Sequence, residues 1–377
     1  MKNNSALFGM LKKILKWFFI LLGVVSLIQM IWVLWFFGVI KIPFITREKA
    51  PTKEQFSVTG FSPDSQKIYF EFSDVSGEVK IGWMDLSTRK VNFLVPKDTK
   101  NKFAAPSSSA DGKRLAIVSK EASNNFETSQ IGILNLENKF YRVITNSNTY
   151  KQFPAFSEDG KKIIYAQANW IRGGGKTKFS AWDIYETDVR TGSERRLTEF
   201  CFFAVSNPFY LRGGKKFVFS GEYPSCNYPS RASSGEYDLY AKKYRENTIF
   251  MRSIGKESPL EPLFENGVSS NAASLSQDGK IFFVSRTNEI DGITGSNYNY
   301  DIFVYENAVI KRLTNLKTLL SGLVVSPRGD VLSYNSDELR NHDTRHWMMN
   351  IRKGTHSPID LSNSKTFQMT SVIREKK

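Results

Sequence analysis

Histidine and cysteine are the scarce residues of this 377-residue chain, which has three histidines and two cysteines. His342, His346 and His356 all lie near its C-terminal end. A nucleophile that depends on a histidine base therefore has few places to be. No Gly-x-Ser-x-Gly elbow occurs. His342 and His346 stand four apart but lack the glutamate of a helical zinc-protease motif, so no metal site is assigned to them. Gly173-Gly174-Gly175-Lys176-Thr177 lacks the earlier glycine of a phosphate loop, because Trp170 fills that place. It reads as a hairpin loop. Asp291-Gly292, with Asn288, Glu289 and Asn297, does not have the spacing of an EF-hand and reads as a polar turn. No catalytic residue and no cofactor is assigned, and the chain is not read as an enzyme.

Acidic residues are missing from the first 41 positions, which carry Lys2, Lys12, Lys13, Lys16 and Lys41. Residues 17–40 hold no charge of either sign, and Gln29 is their one strongly polar side chain. These 24 residues reach about 36 Å as a helix, enough to span a bilayer with some tilt. Trp17, Trp32 and Trp35 suit the membrane interfaces. The run is too long for a signal peptide, and no small-x-small site follows it. The expectation is a cytoplasmic N-terminus at 1–16, a transmembrane helix at 17–40 and a linker at 41–55. The lysines before the span place the N-terminus inside the cell, and the remainder in the periplasm or outside.

That remainder is basic too. The chain has 52 Lys and Arg against 37 Asp and Glu, a net charge of +15. A basic protein can meet nucleic acid, anionic lipid or an acidic polymer. No Lys/Arg-rich run or nucleic-acid motif appears, and nucleic acid is excluded as a partner.

What is abundant is one phrase, repeated. Ser62-Pro63-Asp64-Ser65 precedes Lys67-Ile68-Tyr69-Phe70, and Ser109-Ala110-Asp111-Gly112 precedes Arg114-Leu115-Ala116-Ile117. Ser157-Glu158-Asp159-Gly160 precedes Lys162-Ile163-Ile164-Tyr165. Further copies start at Arg212-Gly213-Gly214, Ser276-Gln277-Asp278-Gly279 and Ser326-Pro327-Arg328-Gly329. The fourth copy has Gly213 for Asp, the first Ser65 for Gly, and the sixth Arg328 for Asp. Each copy is a tight turn leading into a β-branched and aromatic strand. Asp183-Ile184-Tyr185 and Asp301-Ile302-Phe303 mark a later strand, and Arg196-Leu197-Thr198 and Arg312-Leu313-Thr314 an outer one. With the run before each turn, the count is four strands per unit. Units of this size cannot bury their own faces and must stack. Six of them close most simply as a six-bladed β-propeller. The expected blades are 56–97, 103–146, 151–199, 203–266, 270–315 and 320–362, with residues 237–240 as the third strand of the fourth.

The phrase Ser-Pro-Asp-Gly-Lys-Lys-Ile, then Asp-Ile-Tyr, then Arg-Leu-Thr, resembles the WD-like repeat of TolB-type propellers. The third unit is the nearest to it. The resemblance covers residues 56–361 and implies a scaffold that binds a protein or an anionic envelope polymer without chemistry. The alternative is a hydrolase or lyase working near the propeller channel.

Propeller geometry places the connections from second to third strands on one face. The longest are expected at 168–179, 222–236, 287–299 and 336–344, in four consecutive blades. They nominate Trp170, Arg172, Lys176, Tyr223, Tyr228, Arg231, Tyr298 and Arg340 as binding residues, because Trp, Tyr and Arg dominate contact energy. Cys201 and Cys226 fall on the same face. A disulfide between them would close a loop of about 25 residues and contribute about 3 kcal/mol. Two buried thiols are the other reading. Asn363-Ser364-Lys365-Thr366-Phe367 echoes Asn315-Leu316-Lys317-Thr318-Leu319, so the tail is expected to dock back on the first blade.

Overall fold

The computed structural model describes residues 29, 55–74, 78–96, 101–120, 128–173, 176–224, 247–255, 261–263, 269–287, 300–338 and 343–359. The chain divides into two compact units, Met1–Lys53 and Glu54–Lys377. The expected membrane span at 17–40 and the tail at 363–377 lie outside the described residues, Gln29 excepted. No helix of the described residues is long and apolar enough to cross a membrane.

The second unit is an all-β propeller. Its first sheet runs β1 (Gln55–Phe61), β2 (Lys67–Ser73), β3 (Val79–Asp85) and β4 (Val91–Leu94). The next holds β5 (Lys102–Ser108), β6 (Arg114–Lys120), β7 (Gln130–Asn135) and β8 (Tyr141–Val143). Then follow β9 (Tyr150–Phe156), β10 (Lys162–Gly173), β11 (Lys176–Asp188) and β12 (Glu194–Arg196). They share one eight-stranded sheet with β13 (Phe202–Tyr210), β14 (Lys216–Pro224), β15 (Thr248–Ser253) and β16 (Glu261–Pro262). The last two sheets are β17 (Ser270–Leu275), β18 (Ile281–Arg286), β19 (Tyr300–Glu306) and β20 (Val309–Arg312), then β21 (Leu319–Val325), β22 (Val331–Glu338), β23 (Asp343–Asn350) and β24 (Thr355–Pro358).

Six separate sheets were expected from the repeats; four four-stranded sheets and one of eight strands are found. The eight-stranded sheet is held together at one point, where Trp182 of β11 pairs with Phe202 of β13. In the fourth unit, residues 216–221 of β14 pair with β15, which moves the third strand to Thr248–Ser253. Residues 237–240 lie outside the described residues.

Every sheet is apolar on both faces, and each face is covered by the next sheet. Tyr69, Ile81 and Leu94 pack on Phe103, Leu115, Ile117 and Leu134. Ala116, Val118 and Ile133 pack on Ile163 and Tyr165. Ile164, Trp182 and Ile184 meet Phe202, Phe217, Phe219 and Phe250. Val218 and Ile249 meet Ile281 and Phe283, and Val284 and Ile302 meet Leu320, Leu332 and Tyr334. The last junction joins the two ends: Ile359, with Val324, Val331 and Met348, packs against Val58, Phe70 and Met84. Phe56 and His346 add an edge-to-face contact with centroids 5.0 Å apart. The first strands β1, β5, β9, β13, β17 and β21 touch in that order, and β21 returns to β1.

The repeated phrase is a clasp. Ser62, Ser109, Ser157 and Ser276 each donate a hydroxyl hydrogen bond to the aspartate two residues on, at 2.5–2.7 Å. That bond holds the Asp64, Asp111 and Asp159 carboxyls below the usual carboxylate range. The sixth copy keeps the clasp by another route, with Ser326 donating to Asp330 at 2.7 Å. In the first copy Ser65 takes the glycine's place at φ 59°, a left-handed conformation that costs a non-glycine residue energy.

The Asp-Ile-Tyr and Arg-Leu-Thr phrases form one buried lock. Asp183, fully buried, accepts from Arg196 and from Thr198 at 2.6 Å each, and from the N–H groups of Phe200 and Cys201 at 2.9 and 3.2 Å. Asp301 repeats it with Arg312 at 2.6 Å, Thr314 at 2.9 Å and the Leu316 N–H. Thr198 and Thr314 then accept the N–H of Ile184 and Ile302 at 2.9 Å. The lock ties the third strand, the outer strand and the start of the next unit together. Removing one member of such a pair strands the other. Arg196 keeps 30% side-chain exposure where Asp183 has none, which softens the loss. Asp183→Ala should lower stability by about 3 kcal/mol in urea unfolding; a change within error of zero would show that the lock is idle.

Candidate functional site

The closed cycle of first strands surrounds a channel. Its cavity of about 470 Å³ is lined by residues from all six of those strands. Each strand carries a bulge there. Pairing slips between Val58 and Gly60, Ala104 and Ser107, Ser206 and Phe209, Asn271 and Ser274, and Ser321 and Val324, and in β9 against Ile164 and Ala166. Ala105, Phe153, Asn207, Ala272 and Gly322 take φ of 48–60° within these bulges. A bulge leaves backbone groups without ladder partners. Side chains serve some of them: Thr59 Oγ1 donates to the Pro106 carbonyl at 2.7 Å, and the Ala105 N–H donates to Glu71 Oε2 at 2.9 Å. Ser274 Oγ accepts the Val325 N–H at 3.0 Å. Ala105-Pro106, Phe153-Pro154 and Asn207-Pro208 were the sequence signal for these bulges, since proline interrupts a ladder.

The nominated rim residues are placed in part. Trp170, Arg172 and Lys176 are not in a loop. β10 and β11 continue as a ladder from Lys162↔Asp188 to Gly173↔Lys176, so only Gly174 and Gly175 are left for the turn. Trp170 stands opposite Phe179, and Arg172 opposite Thr177. Tyr223 likewise belongs to β14. Alternating strand residues carried the pairing further than length and glycine content suggested. Tyr228, Arg231, Tyr298 and Arg340 lie outside the described residues.

Cys201 is disulfide-bonded. Cys226, the other cysteine of the chain, lies outside the described residues. Cys201 Sγ lies 3.9 Å from an Arg196 guanidinium nitrogen, and its N–H is bound by Asp183. The bridge is therefore anchored on the buried lock at the junction of β12 and β13.

Lys151, at the start of β9, is fully buried. Its Nζ donates to Thr149 Oγ1 at 2.8 Å, the Ser147 carbonyl at 3.1 Å, Gln130 Oε1 at 3.2 Å and the Ser129 carbonyl at 3.4 Å. Thr145 in turn donates to Gln130 at 2.8 Å and accepts the Ile131 N–H at 2.9 Å. This is the same lock with glutamine in the aspartate's place and the positive charge supplied by the following unit. Burial pulls the Lys151 ammonium down to about 8, against the attraction of Glu194. Glu194 itself accepts from Tyr165 at 2.6 Å and Ser147 at 3.1 Å.

No protein-family model matches the chain. No curated protein matches it either. Solved structures do. TolB from Acinetobacter baumannii superposes with a TM-score of 0.53 at 19% identity, over 82% of this chain and 64% of that one. A protein from Agrobacterium tumefaciens described as TolB gives 0.50 at 19% identity, over 82% and 92%. The fold is a TolB-like β-propeller. An oligogalacturonate lyase in complex with manganese gives 0.53 at 14% identity, over 83% and 80%. Identities this low establish the fold and leave the chemistry open. The chain spans about two thirds of the A. baumannii TolB, 64% of its length.

The lysine has a consequence for pH. Its folded value lies below the usual 10.5, so between about 8 and about 10.5 the unfolded chain holds the extra proton and stability rises with pH. Glu194 and Tyr165 are the titratable neighbours. Urea midpoints of the wild type should rise across that window relative to Lys151→Met; parallel curves would remove Lys151 as the source.

Proposed function

We propose that the chain is a six-bladed propeller, tethered to the inner membrane through residues 17–40, that binds a protein or an anionic envelope polymer on its loop-bearing face. On this reading the eight-stranded sheet is two blades, β9–β12 and β13–β16, fused at their upper ends. The six first strands in one cycle, and the six apolar junctions between successive units, support that count.

The observation that carries the binding reading is the one-sided growth of the ring. β10 and β11 have 12 and 13 residues and β13 and β14 have 9 each, where β1 to β3 have 7. The lengthened strands include Trp170, Arg172, Lys176 and Tyr223. A long ladder costs conformational entropy that a blade interior does not require. Rigid elements that project aromatic and arginine residues are the usual carriers of binding energy. The disulfide at Cys201 fits an oxidising compartment, as the tether requires. The neighbouring folds include a lyase as well as TolB, and the alternative remains a hydrolase or lyase near the channel.

The test compares the full-length chain with a Trp170→Ala, Tyr228→Ala variant in pull-downs from membrane extract. The partner captured by the wild type should be lost by at least about tenfold in the variant. Turnover of a glycan or peptide library that persists in the variant would overturn the scaffold reading in favour of the enzyme.

A further inference from the structure

The channel carries a charge asymmetry that the fold does not need. Its lining includes no lysine, arginine or histidine, and one carboxylate, Glu71. This is notable in a chain of net charge +15. Glu71 lies on β2 opposite Ser57. The same register position, third after the first core residue of the second strand, is occupied by Val118, Ala166, Ser220, Val284 and Asn335 in the other units. The glutamate is the one ionised group in the series.

A structural duty accounts for half of it. Its Oε2 accepts the Ala105 N–H released by the bulge in β5. The bulges at Phe153, Asn207 and Ala272 have the same left-handed backbone, and no carboxylate serves them among the described residues. A bulge in this ring thus folds without one. A carboxylate has acceptor capacity for more than one N–H, and Glu71 has no ion-pair partner among the described residues. Hydroxyls stand close by: Ser57 opposite it, Thr59 bonded to Pro106, and Ser107 on the neighbouring strand. The remaining lining is largely apolar, with Val58, Pro106, Phe153, Pro154 and Leu323 among it.

We propose that the channel is a binding site for a primary ammonium group on a short apolar stem. The ammonium pairs with the Glu71 carboxylate and shares its other protons with the hydroxyls of Ser57 and Thr59, and the stem lies along the proline and phenylalanine side of the cavity. A volume of about 470 Å³ admits a ligand of amino-acid to dipeptide size. The same lining disfavours an anionic sugar in this cavity, since nothing there would pair with a carboxylate. Glu71, Ser57 and Thr59 lie on β1 and β2, outside the sector formed by β10, β11, β13 and β14, and the proposal stands whether or not that sector binds a partner.

Saturation-transfer NMR on the full-length chain tests it with three probes of one shape: butylammonium, 1-butanol and butyrate at neutral pH. Butylammonium should receive saturation, with butanol weaker and butyrate weakest. Glu71→Gln keeps an acceptor for the Ala105 N–H and removes the charge, and should lower the butylammonium signal about tenfold. Glu71→Asp, which keeps the charge one methylene back, should retain part of it. The wild-type probe series stands by itself if a variant fails to fold. Equal signals for butylammonium and butyrate, or an unchanged signal in a folded Glu71→Gln protein, would overturn the proposal.

Discussion

The structure depends on apolar sheet faces that no single unit can cover. A four-stranded sheet with Ile, Val and Phe on both sides cannot stay exposed to water, and among the described residues its cover is the neighbouring sheet. Stacking such units in a row leaves two uncovered faces unless the first meets the last. Here they meet by side-chain packing. Ile359 and Met348 fill the face presented by Phe70 and Met84, while β1–β4 and β21–β24 each form a sheet from their own stretch of chain. Among the described residues this junction is packed side chains together with a hydrogen bond from the Arg328 N–H to Ser65 Oγ at 3.3 Å. The buried locks at Asp183 and Asp301 act beside the packing, fixing where one unit ends and the next begins.

Much of this was legible, because the physical demands repeat. A clasp that needs a serine, an aspartate and a residue with positive φ leaves the same letters at each turn, and β-strands leave the same alternation after it. Even the departures can be understood. Arg328 replaces the aspartate, and Asp330 restores the clasp from two positions on. The fourth copy has no clasp, and instead the Gly213 N–H donates to Glu158 of the neighbouring unit at 3.3 Å. The buried lock was visible only as a phrase. Its meaning, an aspartate serving an arginine, a threonine and two backbone N–H groups, requires the approach of segments some fifteen residues apart in sequence. Gln130 and Lys151 occupy the corresponding place in the second unit with different letters, and no motif search would equate them with Asp183 and Arg196.

What the sequence concealed was extent. Residues 168–179 read as a loop because they are long, glycine-rich and charged. A ladder extends as far as opposite residues can pair, and here it continues to the pair Gly173 and Lys176. The joining of two units at Trp182 and Phe202 was equally hidden. The fifth unit makes the equivalent bridge, between Tyr300 and Thr318, without any lengthening of its strands. The register that produced this is a property of two segments together and leaves no local mark.

The channel shows the opposite case, a feature with a local mark whose meaning is global. Three X-Pro dipeptides, Ala105-Pro106, Phe153-Pro154 and Asn207-Pro208, sit at equivalent places in successive first strands. Around the cycle of first strands these interruptions border one cavity. A hydroxyl or a carboxylate placed there serves the backbone of one unit and the cavity of all six. Glu71 is positioned by a bulge in the neighbouring sheet, so its orientation is set by the ring and not by its own strand. The same constraint that closes the apolar faces thus builds a chamber whose described lining carries a carboxylate and no basic residue.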